Sequence, residues 1–539
     1  MYKLTRMTLQ EMLLCGARAY GTRPALSMLG GSALSFRDMR EHAFALAAVL
    51  RDRGIRFGDR VALLSENRPE WGITYLAVAS MGAVVVPLMT EFAAAQVQNI
   101  LAHADCRAVV VSERLRTRLP PASAALPVIA VEDILRLPRA AFDPPSVAED
   151  DLAAIIYTSG TTGQSKGVEL THRNIVSNAR ATRSILRIRH SDRALSVLTL
   201  AHTYECTIGF IAPILQGASI VYLDRPPSAS VLVPAMKSVR PTIMLTVPLI
   251  IEKICRAKVF PELEKMPLYR VPGVRRLLVL AAGLKLRKTF GGKLRFFGVG
   301  GAGLAPDVES FLRAARFPYA IGYGLTETSP LVAGASPAAS RLRSTGPALK
   351  GVSVRIADPR PDTGEGEIQV SGPCVMRGYH GDPARTAGVF TSDGWFRTGD
   401  LGVVDARGRL YVRGRLKTMI LGASGENIYP EEIEAVLNTS PYVDESLVYA
   451  DGSGVAALVQ LKPDVRAQMV NVAQEGTSPQ HTVAALLERI KAEVNTQLAQ
   501  WSRLTRVHLQ TEPFEKTPSQ KIKRFLYPQP RDTAAGGAT

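Results

Sequence analysis

The chain has 539 residues, of which 46% are hydrophobic and 21% are charged, and its formal net charge is +17. This composition excludes a disordered chain and is typical of a globular enzyme with several packed cores. Five scattered cysteines without a CxxC pair argue against a disulfide scaffold and a structural zinc site, and they favour a reducing compartment.

The first residues of the chain lack the apolar core and cleavage site of a secretion signal, so we expect no signal peptide. Two segments come closest to a membrane span. The run at 74–89 is too short, and the run at 207–223 carries Gln216 and glycine-punctuated stretches typical of a buried helix and strand. We therefore expect a cytoplasmic protein without a transmembrane helix.

Short β-branched runs alternate with amphipathic helical stretches through the first half of the chain. The predicted strands lie at 60–64, 83–86, 108–111 and 219–222, and the predicted helices at 39–53 and 93–103. This alternation indicates an α/β fold with largely parallel sheets. The segment 117–150 is rich in Pro and Ala and is predicted to be a connection.

The character of the sequence changes near Arg413. Before it, Gly- and Asp-rich turns join short predicted strands at 365–370, 403–404 and 410–412. The later predicted elements form a compact α+β pattern: a helix at 430–438, strands at 445–450 and 455–462, a polar loop at 464–480 and a helix at 483–500. The predicted organisation is a large N-terminal multi-layer α/β domain (1–412), a hinge (413–417), a small mobile α+β C-terminal domain (418–527) and a disordered tail (528–539).

The strongest local motif follows a predicted buried strand at 152–157. It consists of Thr158, Ser159, Gly160, Thr161, Thr162, Gly163, Gln164, Ser165, Lys166 and Gly167. Glycines allow close backbone approach to an anion, and hydroxyls and a lysine donate to phosphate oxygens. A P-loop of the Walker type is disfavoured, because Ser165 replaces its second glycine and Gly167 follows the lysine.

This loop resembles the phosphate loop of the adenylate-forming superfamily, which comprises acyl-CoA synthetases, luciferases and adenylation domains. Five further segments resemble motifs of that superfamily in the expected order: Gly300-Gly301-Ala302, Tyr323-Gly324-Leu325-Thr326-Glu327-Thr328, Thr398-Gly399-Asp400, Gly414-Arg415-Leu416-Lys417 and Pro518-Ser519-Gln520-Lys521-Ile522. The six segments together span nearly the whole chain. One departure is Gln520, which stands where many members have glycine.

The resemblance implies ATP, Mg²⁺ and CoA as cofactor and co-substrates. The implied nucleotide-binding residues are Thr158, Ser159, Gly160, Thr161, Thr162, Gly163, Lys166, Gly301, Ala302, Tyr323, Gly324, Thr326, Asp400, Arg415 and Lys521. Lys521, Glu327 and Lys166 are the implied catalytic residues, and Thr161 and Glu327 the implied Mg²⁺ ligands. In addition, Tyr323 is implied to stack on adenine and Asp400 to accept the ribose hydroxyls. Lys417 is implied as the pivot of the hinge.

Within the superfamily the chain is most similar to long-chain fatty acid–CoA ligases. The run Leu200-Ala201-His202-Thr203-Tyr204-Glu205 resembles the segment that lines their acyl entrance, which makes His202 the candidate acyl-pocket residue. A fatty acyl-AMP or acyl-carrier-protein ligase remains an alternative, as does a non-catalytic binding protein. An oligomer is also left open.

A basic segment extends from Lys253 to Arg295, with twelve basic and two acidic residues and interleaved apolar groups. A solvated face and a membrane-surface patch are both consistent with this pattern. Because no nucleic-acid motif accompanies the charge, we expect no specific nucleic-acid partner. Two interpretations of the segment are left open: a plain solvated surface, and peripheral contact with the inner face of an anionic membrane.

Overall fold

The structure is a computed structural model that describes residues 2–121, 123, 126–159, 165–422, 426–452, 454–467, 479–517 and 521–527. The whole of the predicted tail, 528–539, lies outside these residues, as do parts of the predicted phosphate loop and of the C-terminal lysine motif. Within the described ranges, no helix has the length and apolarity that crossing a membrane would need.

Two large, mostly parallel sheets form the first part of the fold. The eight-stranded sheet has the order β14-β13-β12-β11-β9-β10-β1-β2 and contains β1 (Pro24–Met28), β2 (Leu34–Ser35), β9 (Arg193–Ser196), β10 (Ser219–Tyr222), β11 (Ile243–Thr246), β12 (Phe296–Val299), β13 (Tyr319–Gly324) and β14 (Leu331–Gly334). The seven-stranded sheet has the order β18-β8-β7-β4-β3-β5-β6 and contains β3 (Arg60–Leu64), β4 (Val84–Pro87), β5 (Cys106–Val111), β6 (Val128–Ala130), β7 (Leu152–Ser159), β8 (Ser165–Thr171) and β18 (Gly378–Tyr379).

The remaining sheets are smaller. An antiparallel five-stranded sheet, in the order β15-β20-β19-β17-β16, contains β15 (Gly346–Pro347), β16 (Ser353–Ala357), β17 (Gly366–Ser371), β19 (Phe396–Val404) and β20 (Arg409–Arg415). The C-terminal part has the hairpin β21 (Ile420–Leu421) and β22 (Asn427–Ile428), and a three-stranded sheet of β23 (Val443–Asp451), β24 (Gly454–Leu461) and β25 (Leu504–Leu509). Tight turns make the five-stranded sheet antiparallel, whereas helical crossovers make the large sheets parallel.

Helices connect and cover these sheets. They are α1 (Leu9–Tyr20), α2 (Phe36–Asp52), α3 (Pro69–Ser80), α4 (Ala94–His103), α5 (His172–Ala181), α6 (Ala212–Gln216), α7 (Ala229–Val239), α8 (Pro248–Ile254), α9 (Phe260–Glu264), α10 (Pro272–Thr289), α11 (Pro306–Ala314), α12 (Pro383–Gly388), α13 (Pro430–Leu437) and α14 (Pro479–Asn495). Every residue of α3 is buried. This helix belongs to the core cluster that joins the two large sheets, as expected for a helix that is apolar on all sides.

The predicted α/β fold with a smaller α+β C-terminal part is confirmed, and the element ends differ for local reasons. The predicted helix at 39–53 begins earlier, at Phe36, because Ser35 and Asp38 form a reciprocal capping box. The predicted helix at 483–500 ends at Asn495, whose side chain instead bonds both backbone groups of Leu504. A capping residue thus decides where the first helix begins, and a side-chain contact to β25 decides where the second ends.

The predicted hinge begins inside a strand. Residues 413–415 complete β20, where Arg415 pairs with Asp400 of β19. Leu416 then donates its N–H to the Gly399 carbonyl at 2.9 Å, and Lys417 lies exposed beyond it. The chain therefore leaves the five-stranded sheet at Leu416 and Lys417 and enters the C-terminal hairpin at Ile420.

Candidate active site

The phosphate end of the candidate site is a buried cluster of three side chains. Lys166 is the second residue of β8, Glu327 lies on the single turn 326–328 after β13, and Tyr379 lies on β18. The Lys166 Nζ is 2.6 Å from Glu327 Oε1 and 2.9 Å from the Tyr379 hydroxyl. The same hydroxyl donates to Glu327 Oε1 at 3.0 Å, and Lys166 Nζ stands 4.6 Å from the centroid of the Tyr379 ring.

Glu327 is a charged carboxylate in a buried position. It is 6% exposed, and burial alone would raise its pKa, but the charge of Lys166 and the hydrogen bonds from Lys166 and Tyr379 lower the pKa of the carboxyl overall. The adjacent Thr326 is also buried. The structure therefore brings together two residues predicted from motifs far apart in the chain, and it adds a third.

That third residue, Tyr379, was missed by the sequence analysis. Its hydroxyl lies beside Lys166 and Glu327 although it is 213 residues from the lysine in the chain. The only local signal is a Gly-Tyr-His run, Gly378 to His380, in a turn-rich stretch. Such a run indicates a turn and gives no sign of a distant partner.

The predicted phosphate loop is only partly described. Gly160, Thr161, Thr162 and Gly163 lie outside the described residues, as does the side chain of Ser159. Thr158 and Lys166 are paired across the β7–β8 hairpin, which places the two ends of the loop side by side. The Glu327 cluster therefore lies beside the two ends of the loop.

The nucleoside end of the site is built around Asp400. The Tyr323 hydroxyl donates to Asp400 Oδ2 at 2.8 Å, and Arg415 Nε lies 3.2 Å from Asp400 Oδ1. Asp400 is buried, and this burial raises the pKa of its carboxyl against the lowering effects of Arg415 and Tyr323. Three predicted residues thus meet, and each carboxylate oxygen already has a donor that a ribose hydroxyl would join or replace.

Predicted nucleotide-binding backbone comes from two neighbouring strands. Because β12 and β13 are parallel, their carboxyl ends meet at one edge of the sheet. Gly301 and Ala302 follow β12 as an exposed turn, with Gly301 at φ +88°, and Gly324 closes β13. This edge is the common position for ligands in open α/β sheets.

Lys521 approaches the same site from the C-terminal part of the chain. Its N–H donates to Thr517 Oγ1 at 3.2 Å and its carbonyl accepts from Thr517 N–H at 2.7 Å, while Pro518, Ser519 and Gln520 lie outside the described residues. Lys521 is an exposed residue, but nearby protein lowers the pKa of its ammonium group, Arg415 lowers this pKa further, and Asp400 opposes the shift. Lys521 is therefore near enough to the Asp400–Arg415 pair for their charges to interact.

The segment that carries Lys521 is anchored by Arg524, a second residue that the sequence analysis missed. Arg524 pairs with Glu434 of α13 through a short hydrogen bond and also donates to the Val448 carbonyl at 3.2 Å. Burial raises the pKa of Glu434 to about 7, even though Arg524 lowers it. The sequence Lys521-Ile522-Lys523-Arg524 does not indicate which of its three basic residues forms an ion pair with a buried carboxylate.

The candidate acyl end lies at the start of a π-helical segment, Tyr204–Ile211. His202 precedes it, and burial together with the charge of Lys521 lowers the pKa of its imidazole to about 4. The Tyr204 ring covers two glycines around β12, because a Cβ at Gly298 or Gly300 would lie 3.1 or 3.0 Å from it. Tyr204 therefore lies against the glycine-lined end of β12.

Glu205 lies in a different environment. It is 2% exposed, its carboxyl contacts Gly209, and burial raises its pKa to about 8. At neutral pH this carboxyl is therefore mostly protonated. An uncharged, buried acid gives a substrate ammonium no counter-charge.

The donor set at the phosphate end fits Mg²⁺. Among the described residues, no group of three or more His, Cys, Asp or Glu could hold a metal ion by itself. Mg²⁺ bound with a nucleotide commonly uses one or two protein oxygens together with phosphates and water. The buried, charged Glu327 provides one such hard oxygen ligand, and the predicted second ligand, Thr161, lies outside the described residues.

Comparisons with known proteins agree on one family. The sequence profile of the AMP-binding enzyme family matches residues 16–380. A long-chain-fatty-acid–CoA ligase, FadD15 of Mycobacterium bovis, is 30% identical over 89% of this chain and 88% of its own length. A feruloyl-CoA synthase of an Amycolatopsis species is 32% identical over 78% of this chain and 81% of its own. The ATP-bound structure of MatB from Rhodopseudomonas palustris superposes with a TM-score of 0.78 at 26% identity, covering 97% of this chain and 98% of that one.

Proposed function

This chain belongs to the AMP-binding enzyme family, and we propose that it is an acid–thiol ligase that converts a long-chain fatty acid, ATP and CoA into acyl-CoA, AMP and pyrophosphate. The observation that carries the proposal is the geometry around two carboxylates: Lys166 lies 2.6 Å from Glu327, and Tyr323 and Arg415 lie 2.8 and 3.2 Å from Asp400. Lys521 is near enough to Asp400 for the two charges to interact. The family match and the ligase relatives support the reaction class.

In the first half-reaction, a carboxylate oxygen of the acid attacks the α-phosphorus of ATP. The bond from that phosphorus to the bridging oxygen breaks, and pyrophosphate leaves with the bonding electron pair. Both reactants are anions, so orientation and positive charge provide most of the catalysis. Lys521 neutralises charge at the α-phosphate, Lys166 binds the outer phosphates, and Asp400 holds the ribose.

Mg²⁺ bound with ATP would be held by Glu327 and Thr161, and it would supply charge neutralisation on the phosphate oxygens. Glu327 is suited to this role because its carboxyl is charged and buried.

In the second half-reaction, the thiol sulfur of CoA attacks the carbonyl carbon of the acyl-adenylate. The carbon–oxygen bond to AMP breaks, AMP leaves, and the thiol proton passes to water. Lys521 acts in the first half-reaction, and its withdrawal would make room for the thiol in the second. We place the pivot at residues 413–417, where the chain leaves β20 with Lys417 exposed.

The acid is the least constrained part of the proposal. Relatives named for long-chain fatty acids and for ferulate are about equally similar to this chain. The neutral, buried Glu205 and the packing of Tyr204 against the apolar core favour an acid without a charged tail. An acyl-carrier-protein acceptor in place of CoA would use the same first half-reaction.

The test is product analysis by mass spectrometry, with ATP, Mg²⁺ and a mixture of short- to long-chain fatty acids and ferulate, with and without CoA. We expect long-chain acyl-CoA only when CoA is present. Feruloyl-CoA as the main product would show that the substrate is an aromatic acid and not a fatty acid. Acyl-adenylate that accumulates in the presence of CoA would indicate a carrier protein as the acceptor.

We also propose that the basic segment binds the surface of an anionic membrane. Helix α10 buries Val279, Gly283 and Leu286 and leaves Leu277 and Leu284 66% and 61% exposed. These two leucines are seven residues apart and therefore share a helix face. Exposed basic residues flank them: Arg270, Arg275, Arg276, Lys285 and Lys288. Apolar groups among cations suit the headgroup region of an anionic bilayer.

Vesicle co-sedimentation tests this surface. The chain is expected to bind phosphatidylglycerol-containing vesicles at low salt, to release with added salt, and to lose binding in the double variant Leu277→Asp/Leu284→Asp. Leu342→Asp, at an exposed leucine outside the segment, is the matched control. Binding that ignores lipid charge and salt, or that survives the double substitution, would overturn the membrane proposal.

A further inference from the structure

The Tyr379 hydroxyl is shared between two opposite charges. It accepts from Lys166 Nζ at 2.9 Å and donates to Glu327 Oε1 at 3.0 Å. Tyr379 is 6% exposed, so little water competes for these bonds. A hydroxyl can accept and donate at the same time, which suits it to a position between an ammonium and a carboxylate.

The Lys166–Glu327 pair cannot persist when both residues act on ATP. Lys166 must turn to phosphate oxygens, and Glu327 would then be a buried anion without its cation. Removing one partner of a buried ion pair is costly, because the remaining charge stays desolvated. A metal ion bound with the nucleotide would replace the charge of Lys166 beside Glu327.

We propose that Tyr379 is a positioning residue that holds the Glu327 carboxylate in its metal-binding orientation while Lys166 exchanges this carboxylate for phosphate. The proposal rests on the proposed function, since it uses the phosphate role of Lys166 and the metal role of Glu327. The hydroxyl keeps one hydrogen bond to Glu327 throughout the exchange.

The backbone around Tyr379 is fixed well enough for this role. Tyr379 pairs with Val168 in the β8–β18 ladder, and its N–H donates to Thr386 Oγ1 at 2.9 Å. The next residue, His380, donates its N–H to the Gly167 carbonyl at 2.8 Å. On the other side, the Met376 N–H donates to the Glu327 carbonyl at 2.8 Å. The hydroxyl is therefore supported by rigid strands on the lysine side and tied to the glutamate side.

The test is calorimetric titration of the full chain with ATP, once with Mg²⁺ and once with EDTA, for the wild type and Tyr379→Phe. Phenylalanine keeps the ring beside Lys166 and removes only the hydroxyl. We expect Tyr379→Phe to bind ATP about 10-fold more weakly with Mg²⁺, as for loss of one hydrogen bond to a charged group. Binding in EDTA is expected to be almost unchanged, because Glu327 has no metal to hold there.

The matched control is Tyr411→Phe in β20, which removes a hydroxyl that lies 3.3 Å from Asp405. This variant is expected to bind ATP like the wild type. The thermal midpoint of ligand-free Tyr379→Phe is expected to fall by only a few degrees, so the variant is still folded at the temperature of the titration. Equal weakening with and without Mg²⁺, or unchanged binding in both, would overturn the proposal. If the wild type binds MgATP but makes no acyl-CoA, only the proposed function is overturned, because the titration measures binding directly. If the wild type does not bind MgATP, the proposed function and the role of Tyr379 are both overturned.

Discussion

Lys521 lies close enough to His202 for its positive charge to act on the imidazole. Burial is the larger cause of the lowered pKa of His202, the charge of Lys521 adds to it, and together they bring this pKa to about 4. His202 is therefore uncharged at neutral pH. An uncharged imidazole does not repel the Lys521 ammonium.

Replacing Lys521 should separate the two half-reactions. Lys521→Ala is expected to lower acid-dependent pyrophosphate release by about 100-fold or more, as for removal of one preorganised electrostatic contact. Thioester formation from supplied acyl-adenylate should remain close to that of the wild type. Lys523→Ala, which removes a lysine paired with Glu515 at 3.1 Å, is the control. Equal losses in both half-reactions would contradict the assignment.

Arg524 should act through the position of Lys521. Arg524→Gln removes the anchor to Glu434 and the Val448 carbonyl, so adenylation is expected to slow about 10-fold, as when a positioned group is misplaced. The thioester half-reaction should be spared. Arg506→Gln, at an exposed pair with Asp451, should have no effect on either half-reaction. An Arg524→Gln variant with wild-type pyrophosphate release would refute the anchoring role.

Gly324 should tolerate no side chain. A Cβ there would collide with the Pro330 carbonyl oxygen and displace the turn that carries Glu327. Gly324→Ala is expected to lose most activity and to lower the thermal midpoint, because the obstacle is backbone and cannot move aside. At Gly303 a Cβ meets nothing within 4 Å, so Gly303→Ala should resemble the wild type. Similar activity in both variants would contradict this packing.

Glu205 should make stability depend on pH. Its pKa is raised from 4.5 to about 8 by burial, so between these values the folded chain holds a proton that the unfolded chain has lost. The free energy of unfolding therefore falls as pH rises through this window. Glu205→Gln removes the effect and should stabilise the protein by up to about 4 kcal/mol at pH 8, and by little at pH 5.

Thermal unfolding across pH 5 to 8 measures this difference. Glu488→Gln, at an exposed glutamate, is the control and should follow the wild type at every pH. A Glu205→Gln midpoint that exceeds the wild-type midpoint by the same amount at pH 5 and pH 8 would show that Glu205 does not titrate in this window.

The motifs and the main elements could be predicted from the sequence because they are local. The strands at 60–64 and 152–157 depend on runs of apolar residues, and the phosphate loop depends on glycine within a few residues. Their order along the chain, together with the family resemblance, also predicted that Lys166, Glu327, Asp400 and Lys521 belong to one site.

Only the tertiary structure decided which side chains hold those residues in place. Tyr379 reaches Lys166 across 213 residues, and Arg524 reaches Glu434 across 90. Such contacts depend on strand register and on the packing of one part of the chain against another, which short sequence patterns do not encode. The same is true of the protonated state of Glu205, since burial, which only the folded chain defines, sets its pKa.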